Sequence, residues 1–144
     1  MQGSTGNGHH VEPNKSPDLV FKFSGDPAAP GQARRALAPL FEPGDPIAEA
    51  VTVSASELVS NVVLHTNGGG ELRTWDPRPD VPLRLEIEDS NPTTPTVVSD
   101  HDQRITGRGL RILSALADSW GTFATNVGKV VWAEFDRNKP RDDG

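Results

Sequence analysis

Leu19, Phe21 and Phe23 alternate with Val20, Lys22 and Ser24, the period-two pattern of a strand. Gly25-Asp26-Pro27 stops it and offers a helix cap with proline just inside. The spacing then predicts a helix over about 28–41 that buries Ala33, Leu37 and Leu40. Pro39 falls inside this span and removes the bond to the Arg35 carbonyl, so a bend or early end is expected. Gly44-Asp45-Pro46 repeats the same start signal. It opens the longest helical pattern, about 46–67, with Ile47, Val51, Ala55, Leu58 and Val62 on one face and Val59 and Val63 on a second apolar side. Gly68-Gly69-Gly70 closes that helix.

Two strands follow, about 71–76 and 82–89, joined through Pro77, Pro79 and Pro82. In the second, Leu83, Leu85 and Ile87 point inward and Arg84, Glu86 and Glu88 outward, which predicts one wet sheet face and one face covered by helices. Residues 90–106 carry neither period, and a segment of that length inside a domain is usually functional. A third helix over about 108–118 and strands at about 119–126 and 129–136 complete the pattern; Val131, Ala133 and Phe135 share a face of the last strand. The order β-α-α-β-β-loop-α-β-β is not the βαβ alternation of a doubly wound fold. It predicts an α+β, two-layer sandwich: a mixed, mostly antiparallel sheet of about five strands with about three helices on one face.

Composition narrows this picture. The 144 residues are one domain's worth, and no run approaches the roughly 18 apolar residues of a membrane span. Residues 1–17 lack both periodicity and a signal-peptide core, and they read as a flexible lead. His9 and His10 within it are either solvated or metal ligands. Residues 137–144 read as a charged tail, leaving 18–136 as the folded unit. Cysteine is absent, which excludes disulfides, thiolate zinc sites and cysteine nucleophiles. A net charge of −6 without a Lys/Arg cluster disfavours nucleic-acid binding. A soluble cytoplasmic protein without membrane attachment is expected.

Three features break the local rules. Glu57 and Asn61, at i and i+4, share a stripe that borders the buried face of the long helix. They form either a partly exposed polar edge or a pair that binds something, such as a Mg²⁺ ion that keeps most of its waters. Asp89 has the parity of Leu83, Leu85 and Ile87, so its carboxylate points inward and needs a donor: a ligand amine, or the backbone of a turn at the strand's end. Gly107-Arg108-Gly109-Leu110 opens the third helix, either as a plain start or as a cradle whose backbone N–H groups meet an anion. Together the three would set metal, base and phosphate sites around one pocket.

In this order and spacing the chain resembles the GHKL ATPase superfamily, with its Bergerat ATP-binding fold, over about 18–136. Within it, the chain looks like the small stand-alone anti-sigma-factor serine/threonine kinases of actinobacterial type. Glu57-Leu58-Val59-Ser60-Asn61-Val62-Val63-Leu64-His65 resembles the N box. Glu88-Asp89-Ser90-Asn91-Pro92 stands at the G1 box, Thr106-Gly107-Arg108-Gly109-Leu110 at the G2 box, and Gly128-Lys129-Val130-Val131-Trp132 at the closing strand. The resemblance implies ATP and Mg²⁺ as cofactors and Glu57 as general base. It implies Asn61 as metal ligand and Asp89 as acceptor of the adenine amine. Asn91, Thr106, Gly107, Arg108, Gly109 and Leu110 would join the nucleotide site beneath a lid of residues 90–106. His65 receives no role. Where the G1 box commonly has glycine two residues after the aspartate, this chain has Asn91, a residue that tolerates positive φ. The implied activity is phosphorylation of a serine or threonine on a STAS-type anti-sigma-factor antagonist, with a sigma factor as competing partner and homodimerisation suggested. The alternative is a non-catalytic, ATP-gated binding module, or an interaction protein without nucleotide.

Overall fold

The computed structural model describes residues 16–66, 68–77, 80–89, 107–126 and 128–140. Five strands, β1 (Leu19–Phe23), β2 (Gly70–Trp75), β3 (Leu83–Asp89), β4 (Ser119–Ala124) and β5 (Lys129–Phe135), form one sheet in the order β1-β2-β3-β5-β4. Each neighbouring pair is antiparallel. The helices are α1 (Ala29–Leu37), α2 (Ala48–Thr66) and α3 (Gly107–Leu116). They cover one face, giving the two-layer α+β sandwich that the periodicity predicts.

Both Gly-Asp-Pro signals make turns that lead into a helix, although the aspartates are not the N-caps: α1 is capped by Ala28 without a side-chain bond. Asp26 Oδ1 accepts from the Ala28 N–H at 2.8 Å, and Asp45 Oδ1 accepts from the Ile47 N–H at 3.1 Å. The first helix ends at Leu37 and tightens into a 3₁₀ turn, Ala38–Leu40, as Pro39 requires. Leu40 is therefore only half-buried, not a core residue as its spacing predicts. Helix α2 stops at Thr66, whose hydroxyl donates back to the Val62 carbonyl at 2.7 Å. Gly70 already belongs to β2, where a side chain would overlap the Glu88 carbonyl; only glycine allows β2 to lie that close beside the end of β3.

Ala33, Leu37, Ile47, Val51, Ala55, Leu58 and Val59 from the helices meet Leu72, Leu83, Leu85, Ile87, Ala133 and Phe135 from the sheet in a single buried cluster. The outer face corrects the wet surface expected from Arg84, Glu86 and Glu88. Arg73 bonds Glu71, Glu88 and Glu86 at 3.0, 3.0 and 3.2 Å; Arg84 bonds Glu86 at 2.9 Å and Glu134 at 3.1 Å. Arg84 also lies 4.6 Å above the Trp132 ring. Arg84, Trp132 and Glu134 are buried, because long stems and an indole on adjacent strands roof one another. Burial opposes the charge on Arg73, but Glu71, Glu88 and Glu86 outweigh it and hold the guanidinium's pKa above its ordinary value.

Arg137, read from the sequence as the first residue of a charged tail, is fastened to the fold. It bonds Asp76 after β2 at 2.8 Å and Asp45 before α2 at 3.0 Å, and both carboxylates are almost fully buried. Arg137→Met keeps the stem but leaves two acids without their cation, and should lower the unfolding free energy by roughly 3 kcal/mol. Urea denaturation measures this. A loss below about 1 kcal/mol would rank the trio with exposed ion pairs.

Candidate functional site

The C-terminal half of α2 lies over the Asp89 end of β3 and the Lys129 end of β5. Leu58, Asn61, Val62 and Thr66 from α2, Ile87 and Asp89 from β3, and Lys129 and Val131 from β5 line an open cleft there. The space between them, open mouth included, is about 340 Å³. Four aliphatic side chains make walls suited to a flat apolar ring, and the polar groups converge from three elements.

Each polar group owes its place to a local rule. Asp89 follows Ile87 by two residues in β3, so the alternation that packs the core carries its carboxylate to the same face; it is 4% exposed. Asn61 follows Leu58 by three residues on α2, which turns it from the core to the cleft. Its Nδ2 is buried without a hydrogen-bond partner. Ser54 Oγ and Thr74 Oγ1 share that state but do not line the cleft. A buried orphan amide costs free energy that a ligand would recover, and a half-turn of the amide presents an oxygen instead.

Glu57 is half-buried one turn before Asn61 on α2 and is not among the cleft-lining residues. Gly107–Leu110 form the first turn of α3, a helix packed beside α2. Asn91, Thr106 and the side chains of Arg108 and Leu110 lie outside the described residues, as does the 90–106 segment expected to be a lid. The structure thus brings Asn61 and Asp89 into one cleft with Glu57 a turn away on the same helix.

Lys129 is the residue to which sequence reasoning gave no role. The signal was present, since it shares the parity of Val131, Ala133 and Phe135, all inward on β5. A lysine directly after Gly128 reads as a solvated strand end, yet it is only 5% exposed and stands opposite Asp89 in the β3–β5 register.

A family model described as the histidine kinase-like ATPase domain matches residues 23–135. The chain belongs to that family. Among curated proteins none matches its sequence. Membership in the histidine kinase-like ATPase family supports ATP binding; the cleft offers an inward acceptor, apolar walls and an unpartnered amide. No group of three or more His, Asp or Glu side chains that could cage a metal occurs among the described residues. No helix among the described residues is long and apolar enough to cross a membrane.

Asp89→Ala should weaken ATP binding by about ten- to a hundredfold, the worth of a hydrogen bond to a charged group. Asn61→Ala should weaken the Mg²⁺-dependent part selectively. Displacement of a fluorescent ATP analogue, with and without Mg²⁺, measures both. Two variants that bind like the parent protein would move the site elsewhere.

Proposed function

We propose that the chain is a Mg-ATP-dependent protein serine/threonine kinase of anti-sigma-factor type, acting on a STAS-type antagonist and binding a sigma factor. The observation that carries this reading is the meeting of the Asp89 carboxylate and the orphan Asn61 amide in one apolar-walled cleft, with an acid, Glu57, one helical turn from that amide. Family membership supports the nucleotide. The resemblance of the Glu57–His65 and Thr106–Leu110 segments to the N and G2 boxes is to the GHKL superfamily as a whole; the kinase class and its partners come by analogy with the small anti-sigma-factor kinases within it.

Bound Mg-ATP supplies the transferable phosphoryl group and part of the charge neutralisation that such a transfer needs. The protein's own residues do the remainder. Asp89 orients the base by accepting from its amine, and Leu58, Val62, Ile87 and Val131 exclude water from the ring. Asn61 would hold the metal through its amide oxygen, and the first-turn amides of α3, at the helix's positive end, would hold the phosphates. Glu57 takes the proton of the incoming serine or threonine hydroxyl at a carboxylate oxygen.

A second reading, a non-catalytic module whose partner affinity follows its nucleotide state, is favoured by one observation: Glu57 does not line the cleft. Glu57→Gln separates the two. The amide keeps the size and cannot act as base, so ATP binding should persist while phosphoryl transfer to an antagonist serine or threonine falls about 10²–10⁴-fold in a radiolabel assay. Undiminished transfer removes Glu57 from the base role. No transfer by the parent protein to any partner leaves the gated module.

A further inference from the structure

A lysine ammonium excluded from water is costly unless it is paired, and Lys129 sits in the wall of the cleft, not on the surface. As the first residue of β5 it faces Asp89 across the ladder, on the side shared with Ile87 and Val131. Directly opposed residues of an antiparallel pair have neighbouring side chains. The cleft therefore presents a carboxylate and an ammonium side by side, and a ligand ring entering between the aliphatic walls meets both.

The two groups impose different demands. A carboxylate only accepts, with about four lone-pair directions, so Asp89 can serve Lys129 and a ligand amine together. Alone it would take any base edge that bears an N–H. An ammonium only donates, through three hydrogens, so Lys129 adds the demand for an acceptor beside that donor. Adenine meets it: its exocyclic amine is flanked by the ring nitrogens N1 and N7, both acceptors. Guanine seated in the same way turns its O6 acceptor toward the carboxylate, and repulsion replaces a bond.

We propose that Lys129 is a specificity-determining residue of the nucleotide site, donating a hydrogen bond to a ring nitrogen of adenine next to the amine that Asp89 accepts. This rests on the adenine-nucleotide reading of the cleft. A lysine that merely neutralised Asp89 would affect stability and leave the choice among ring analogues unchanged.

The test is calorimetric titration of the full chain with ADP, 1-deaza-ADP and 7-deaza-ADP, for the parent protein and for Lys129→Met. The parent protein should bind one deaza analogue at least about tenfold more weakly than ADP, and the analogue affected identifies the nitrogen. Lys129→Met should bind ADP about tenfold more weakly than the parent protein and should no longer distinguish ADP from that analogue. Equal binding of all three by the parent protein overturns the proposal, as does an undiminished penalty in the variant. If circular dichroism shows Lys129→Met unfolded, Lys129→Gln takes its place, with a reduced penalty expected and an unchanged one contradicting. Should the parent protein bind none of the three, the nucleotide reading itself fails; binding without discrimination fails this inference alone.

Discussion

Strand β3 is hydrogen-bonded along both edges, to β2 and to β5, so its register is fixed twice. A slip of one residue would turn Leu83, Leu85 and Ile87 out of the core and Arg84 and Glu86 into it. The same constraint leaves Asp89 no choice of face. Its carboxylate is held inward at the end of the strand because three apolar residues before it must be inward. The free energy of core burial thus positions a charged group that would be unfavourable there on its own. Helix α2 completes the arrangement, since packing Leu58 against the sheet brings Asn61 over the same strand ends.

Much of this is legible in the residues. The alternation in β3, the Gly-Asp-Pro turns before α1 and α2 and the apolar spacing of α2 each act over a few residues, so local reasoning reaches them. Asp89 and Asn61 follow because each stands a fixed number of residues from a core position. Lys129 is less visible: what matters is its partner, and that β5 rather than β4 pairs with β3 is a property of the sheet, not of the Gly128–Trp132 segment. The outer face is missed for a related reason. Arg84, Glu86 and Glu88 read as solvated charges, and only the sheet order brings them together with Arg73 and Glu134 and sets Arg84 over Trp132.

The fold spends charge in two different ways. On the outer face and around Arg137, acids and arginines satisfy one another, which fastens β2, β3, β5 and the chain before α2 without leaving a group for a ligand. In the cleft, Asp89 and Lys129 lie beside aliphatic walls and an amide with no partner.

The central claim is that this opening between α2 and the β3 and β5 ends is a nucleotide site. Isothermal titration of the full chain with ATP, run with and without Mg²⁺, tests it most directly. One saturable site per chain, tightened by Mg²⁺, is the expected result. Absence of saturable binding in both conditions would contradict the claim.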